Sequence, residues 1–516
     1  MTKSYSDFMD EITADELYEG LLGYGLFSEK LPPVFTSVPF FKYCQTIVPS
    51  EESSWHDIIS YNTMRNVLTP RQLGIPTPLK YDKLCRVLRD NWFLLQKHFK
   101  DQTVMNTYRV SRIHLRKQKH NKKLFEMNYK DWKTDGNPET DLLIREKSVN
   151  RYLVEADIST CFPSIYTHSI PWAIAGKEEA KKHIKDDSYW YNNIDSACQE
   201  MKNGETHGLI IGPHASNLIS EIILTVVDKK LTATYQYYRN IDDYDCFVES
   251  YDQAQLFLRD LEEALREFDL PLNHKKTRIL ELPVVVTESW IHKLANTSLV
   301  TEYGKTTYKE VNGYLDLALR LMNKENDAAI LRWAIKALSS HKLTDNAKTL
   351  ASKRIMHLAI LYPYLLQLID EYVIKPYNVE KDEVKMFSDA VFAEGKKVKN
   401  DEAISYAIYF ALKYDFVLEN NDIQWILNRE DCISMLLAYL YILKINHGYK
   451  NATELKPFKT KAKELASTDM DRNWLFCYEV LSQGLLRDDW QRMKKADVSF
   501  IKPEFVAKRI PRAVSE

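Results

Sequence analysis

Two aspartates stand side by side at Asp242-Asp243, inside a segment from Tyr237 to Glu249 that otherwise reads as a β-strand. Successive side chains of a strand alternate between its faces, so adjacent acids are a poor choice for an ordinary sheet. A tight hairpin turn accounts for the pair and would aim the carboxylates at a neighbouring strand. The run Tyr152-Leu-Val-Glu-Ala leads into Asp157 and places a third acid near the end of such a strand. Converging carboxylates are hard oxygen ligands of the kind that suit Mg2+ or Mn2+, and two such ions about 4 Å apart serve nucleotidyl transfer. An Asp-Asp pair in a turn is most often only a solvated turn. The weight therefore falls on what surrounds it.

A chain of 516 residues, 45% of them apolar, is long enough for more than one core. Its 70 Lys and Arg against 72 Asp and Glu exclude a uniformly basic nucleic-acid coat, so any such contact must come from local basic patches. Seven scattered cysteines (Cys44, Cys85, Cys161, Cys198, Cys246, Cys432, Cys477) form no CxxC pair and read as reduced thiols of a cytosolic protein. The N-terminus carries Asp7, Asp10 and Glu11 where a signal peptide needs an apolar run. The longest apolar stretch, Met435 to Leu443, is about half of the ~20 residues a membrane-spanning helix requires. These features predict a cytoplasmic protein with no membrane partner.

Residues 1 to about 85 are punctuated by Leu31-Pro32-Pro33, Pro49 and Pro70 and read as an irregular region with short helices. Helical spacing follows from Lys80 to Phe99. A two-stranded hairpin is expected next, from Tyr108 to Leu115 and from Leu124 to Tyr129. Strands and helices mix between Arg151 and about Pro283, with a helix at Leu256 to Phe268. Beyond about residue 300 helical runs succeed one another: Ala328–Ser339, Ala347–Tyr372, Glu402–Tyr414, Ile423–Lys444 and Asn473–Leu486. The reading is an α+β domain over residues 1–300 and an α-helical, HEAT-like domain over 301–516, without a clean repeat period.

Four motifs then fall in a fixed order. Asp157-Ile-Ser-Thr-Cys-Phe162 resembles motif A of the reverse-transcriptase palm, in which an aromatic residue five positions after the acid screens the ribose 2′ position. Gly208-Leu-Ile-Ile-Gly212-Pro213-His-Ala-Ser216 resembles motif B, whose small residues let the backbone approach nucleotide and template. Ile241-Asp242-Asp243 stands where these enzymes carry Tyr-x-Asp-Asp, and Leu272-Asn273-His-Lys-Lys276-Thr277 resembles the next motif, whose lysine lies near the triphosphate. The strings Ser164-Ile-Tyr166-Thr-His168-Ser-Ile-Pro171-Trp172-Ala-Ile-Ala-Gly176-Lys177 and Glu205-Thr206-His207-Gly208 are similar to the bacterial abortive-infection reverse transcriptases of the AbiK type, which protect cells against bacteriophage. The likeness covers roughly residues 80 to 290.

That resemblance implies a right-hand palm and fingers followed by a helical-repeat domain, and a homo-oligomer (trimer or hexamer). It also implies a polymerase that extends DNA from dNTPs without a template, starting on a protein hydroxyl, so that a single-stranded DNA product stays covalently attached. Asp157, Asp242 and Asp243 would hold two Mg2+ or Mn2+ ions. Arg109, Arg112, Phe162, Gly212 and Lys276 would meet the nucleotide. Reverse transcriptases in general carry Gln and Pro where this chain has His207 and Ile210, and the aromatic of their motif C falls here on Asn240 or Ile241. Those departures favour template-free synthesis over a retron-like enzyme copying RNA, and intact acids count against an inactive scaffold.

Supporting features each have a plainer account. Residues 105 to 125 hold Arg109, Arg112, Arg116, Lys117, Lys119, Lys122 and Lys123 with no Asp or Glu before residue 125. Such a run is commonly a solvated loop, but ahead of a palm it suits phosphate binding. Phe162 by default is a core aromatic. His168 and His207 lack a metal-spaced partner and read as hydrogen-bonding residues. Among 31 tyrosines, Tyr24 and Tyr43 in the irregular N-terminal region are the candidates for a priming hydroxyl.

Overall fold

The structure is a computed structural model that describes residues 4–47, 49, 54–65, 70–106, 108–112, 114–115, 123–126, 149–184, 186–283, 289–297, 299, 304–419 and 423–507. Arg116, Lys117, Lys119 and Lys122 of the basic block lie outside these residues. The chain divides into two compact units. The first comprises residues 1–28, 36–59 and 74–284, and the second 29–35, 60–73 and 285–516. This differs from a single cut near residue 300, because two N-terminal segments belong with the C-terminal helices.

Strands β1 (Ile58–Thr63) and β2 (Arg71–Pro76) form a hairpin within the stretch read as irregular. The hairpin expected in the basic block is present as two short strands, β3 (His114–Leu115) and β4 (Phe125–Glu126). The principal sheet of the first unit uses β5 (Tyr152–Asp157), β6 (Gln236–Asn240), β7 (Asp243–Val248) and β8 (Arg278–Glu281), all antiparallel, in the order β6-β7-β5-β8. The tight turn expected at the Asp242-Asp243 pair divides the segment from Tyr237 to Glu249 into two paired strands. Alternation then divides the sheet. Val154, Ala156, Tyr237, Tyr244 and Cys246 lie on the covered face, fully or almost fully buried. The helix Tyr251–Arg266, longer at its start than read because Ser250 caps it, packs on this sheet together with the helix His214–Thr232. The opposite face carries Leu153, Glu155, Asp157, Asp243, Asp245 and Phe247.

The second unit is built of helices. Lys381–Val398 and Asp401–Tyr414 pack closely, and Gly395 makes this possible: a Cβ there would stand 3.1 Å from the Ala403 Cβ and 3.2 Å from the Ile404 nitrogen. Cys432–Ile445 is apolar on all sides and buried along nearly its whole length, as a central helix must be. The run read as one helix from Ala347 to Tyr372 is broken after Leu361, where Pro363 cannot supply the next backbone donor. Helices Tyr308–Glu325 and Lys456–Thr468 add to those read from periodicity. Within this unit the N-terminal segments are tied in by the Phe35–Ile501 bridge and by Met64 N–H donating to Glu402 at 2.6 Å. Among the described residues no helix is long and apolar enough to cross a membrane.

Candidate active site

The turn between β6 and β7 has two central residues, Ile241 and Asp242, flanked by the Asn240–Asp243 pair. Ile241 takes φ 60°, a left-handed backbone that β-branched residues avoid. Positive φ at only the first central position is the pattern of a type II′ hairpin turn, whose usual occupant is glycine. The neighbours that impose it include Ile158, whose N–H donates to the Asp242 carbonyl at 3.0 Å. In the resulting register Asp157, the last residue of β5, lies directly opposite Asp243, the first of β7.

A hydrogen bond between these two carboxyls lowers the pKa of Asp157 and raises that of Asp243. Burial acts against the charge on Asp157, but hydrogen bonds from Lys276, Asp243 and Asn273 outweigh it and hold this carboxyl below its ordinary value. Lys276 Nζ donates to Oδ1 at 2.8 Å and Asn273 Nδ2 to Oδ2 at 2.7 Å. Asp243 is pushed the other way, up to about 7, by desolvation of its carboxyl, its bond to Asp157 and the charges of Asp242 and Asp157. A carboxyl pushed up this far beside two other acids marks a place where negative charge lacks a sufficient counterion. The donor set is all carboxylate oxygen, with Asp157 buried, Asp242 half-buried and Asp243 exposed, and its chemistry suits a hard divalent cation. Among the described residues no group of three or more His, Cys, Asp or Glu side chains is arranged so that it could hold a metal ion.

The rest of the site is held by loops. Asn273 N–H donates to the Asp157 carbonyl at 2.7 Å, which fixes the Leu272–Thr277 loop against the strand end and brings Lys276 into reach. Phe162 is half-buried in a short helix, Cys161–Ser164, and its carbonyl accepts from Leu209 N–H at 2.8 Å, joining the two glycine-bearing and acid-bearing motifs. Gly208, at φ 84°, leaves no room for a side chain against Pro163, whose carbonyl would be 3.0 Å from a Cβ. Gly212, read as an approach point for nucleotide, has φ 137° and faces the Gly74 carbonyl, 3.1 Å from where a Cβ would be. Backbone packing alone requires glycine there.

Other predicted residues are placed differently. Arg109 is buried with its guanidinium over the Phe8 ring, and Arg112 stacks 3.9 Å from the Tyr238 ring centre at the sheet edge. The structure therefore keeps both on the side of β6, where Arg112 N–H donates to the Arg239 carbonyl at 2.7 Å. Tyr43 is buried. Tyr24 is half-buried and precedes Gly25, whose carbonyl accepts from His214 N–H at 2.8 Å at the start of the helix after Gly212-Pro213. His168 pairs with Asp195, which raises its pKa, and its ring meets Tyr166 at 4.8 Å. Lys123 is half-buried. Sequence reading passed over Asn273 as a site residue and missed the Arg239 ion cluster behind the turn. The signal for the latter was a lone arginine in an aromatic strand, three positions before Asp242.

Residues 95–312 match the family described as reverse transcriptase (RNA-dependent DNA polymerase), a span that contains all four motifs. The chain thus carries a reverse transcriptase domain over that span. No curated protein matches it. Solved structures that align with it include apo telomerase from Candida tropicalis truncated from its C-terminal domain (TM-score 0.31, 13% identity, 48% of this chain and 54% of that one). The apo telomerase of the same organism aligns over 73% of this chain and 68% of its own (TM-score 0.31, 12% identity). The Candida albicans telomerase in complex with a fragment of telomeric RNA does so over 83% and 67% (TM-score 0.30, 12% identity). The chain spans about half the length of the truncated telomerase.

Proposed function

We propose that this protein joins deoxynucleotides into DNA by a two-metal mechanism at Asp157, Asp242 and Asp243, with Lys276 at the triphosphate and Phe162 against the sugar. The observation that carries the reading is the Asp157–Asp243 pair, opposite in register and short of positive charge. Divalent ions bound there would polarise the phosphoryl oxygens and lower the pKa of the attacking hydroxyl. The chain's own part is to hold three carboxylates on a fixed turn and to keep Lys276 within reach of the same place. Lys276 Nζ pairs with Asp157 while its side chain stays well exposed, so it can exchange that carboxylate for a phosphate oxygen.

The finer reading is synthesis without a template, primed by a tyrosine hydroxyl, in an antiphage protein of the abortive-infection type that assembles as a homo-oligomer. It rests on the motif strings and on His207 and Ile210 at the positions where templated enzymes carry Gln and Pro. Tyr24 is the stronger priming candidate, because Tyr43 is buried and Tyr24 adjoins the loop before His214. The helical unit, read as HEAT-like, would contact the product strand. Its cavity of about 580 Å³, lined by Lys375, Lys413, Lys502, Tyr406 and Tyr409 among others, offers basic and aromatic groups for that purpose. Purified protein incubated with each dNTP and Mg2+, without nucleic acid, should yield polymer that stays with the protein on a denaturing gel. Product only when RNA template is added would favour a retron-like enzyme. No product under either condition would end the polymerase reading.

A further inference from the structure

On the covered side of the hairpin that presents the acids, Arg239 is fully buried and ringed by carboxylates. Its Nε donates to Asp228 at 3.1 and 3.0 Å, and Nη2 donates to Asp228 at 2.7 Å and to Glu221 at 3.2 Å. Nη1 donates to Glu221 at 2.7 Å and to the carbonyl of Ile241 at 3.0 Å. The last contact reaches the metal-site turn itself, one residue before Asp242. Glu221 also accepts from the hydroxyls of Tyr5 at 2.6 Å and Ser111 at 2.9 Å, and Asp228 from Tyr237 at 2.9 Å. Four distant segments therefore meet in one ion cluster: the helix Tyr5–Asp10 and the stretch carrying Arg109 and Arg112 through Glu221, and the helix His214–Thr232 and β6 through Arg239 itself.

A buried ion set is a weak source of net stability, since apolar residues of the same volume often serve as well. What a guanidinium adds is a planar fork of five fixed donors. The turn needs such a fixture, because Ile241 holds a left-handed backbone that its own side chain disfavours. We propose that Arg239 is a positioning residue for the metal site: clamped by Glu221 and Asp228, it fixes the turn carrying Asp242 through the Ile241 carbonyl. Tyr5 brings the N-terminal helix into the same brace. The proposal rests on the metal reading of the three acids.

Mn2+ binding to the full chain, followed by electron paramagnetic resonance, tests it directly. Arg239→Lys keeps the charge and loses the fork. Its Mn2+ affinity should fall about tenfold or more, the scale seen when a metal ligand loses its outer partner. In the dNTP assay its kcat should fall with KM little changed, and added Mn2+ should restore the rate. Leu88→Ala, in the buried core of the helix Pro78–Asp90, should lower Tm and leave Mn2+ affinity alone. A folded Arg239→Lys protein whose affinity stays within about twofold of wild type, well short of an outer-partner effect, overturns the brace and leaves the metal reading standing. A wild-type chain that binds no Mn2+ overturns both. Should Arg239→Lys not fold, Tyr5→Phe decides: about threefold weaker Mn2+ binding supports the brace, and unchanged binding in a folded protein overturns it.

Discussion

The β6–β7 hairpin carries two ionic clusters on its two faces, and they follow opposite rules. On the covered face Arg239 meets two carboxylates with its donors paired, out of contact with water. On the open face Asp157 and Asp243 lie opposite each other, the Asp243 carboxyl is pushed up to about 7, Asp242 adds charge, and Lys276, which pairs with Asp157, is well exposed. The covered cluster is complete and has nothing left to bind. The open one is incomplete and can exchange its proton and its lysine for other cations. A site that must change partners is thus mounted on a fixture that cannot.

The largest effects should separate the two faces cleanly. Asp243→Asn should lower dNTP incorporation by about a thousandfold or more, since it removes a charge on which metal-borne transition-state stabilisation depends. Its Tm should hold or rise, because one of the crowded acids is gone. Glu221→Ala should do the reverse in stability, costing about 3–5 kcal/mol by leaving Arg239 buried with half its partners. Chemical denaturation and a dNTP assay on both proteins check the contrast. A stable, active Glu221→Ala protein would erase the distinction between the faces.

How far each face could be read from sequence differs in the same way. The open site announces itself locally: two acids break strand alternation at Asp242-Asp243, Asp157 ends an apolar run, and Lys276 sits in a short polar string. The covered cluster is assembled from Tyr5, Ser111, Glu221, Asp228 and Arg239, with Tyr5 and Glu221 216 residues apart. No spacing rule links such positions, and each looks ordinary in its own element. Strand β5, the two-strand hairpin and the helix Tyr251–Arg266 were legible because a period repeats within them. The pairing of β1 with β2 was not, since Pro70 directly before β2 reads as a break and each strand is only six residues long. Gly212 shows the limit for single residues: its glycine character was visible, but the Gly74 backbone that demands it was not.

A smaller effect tests the proton on Asp243. Raised to about 7, Asp243 is protonated in the metal-free protein at lower pH, so the stabilisation from the hydrogen bond to Asp157 is present below that value and fades as pH rises through it. A divalent ion must displace that proton. Mn2+ affinity should therefore climb by up to about tenfold per pH unit below 7 and level off above it, the slope of a single released proton. Thermal shift by Mn2+ should accordingly be larger at pH 8 than at pH 6. An affinity that is flat across this range would mean that the acids are already ionised without metal, and that the open face is less crowded than its geometry indicates.

The smallest stability change is expected at Lys276. Its ion pair with Asp157 is well exposed on the lysine side, so Lys276→Met should alter folding by less than about 1 kcal/mol. The kinetic consequence should be larger than the structural one. Loss of the ammonium removes a positive charge from the place assigned to the triphosphate, so KM for dNTP should rise, with a steeper dependence on Mg2+. It also frees Asp157 Oδ1, and metal-ion affinity should then hold or improve. The two readouts moving in opposite directions would mark Lys276 as a group that passes between carboxylate and phosphate. A parallel fall in both would mean that it serves only to hold Asp157 in place, as Asn273 does on the other oxygen.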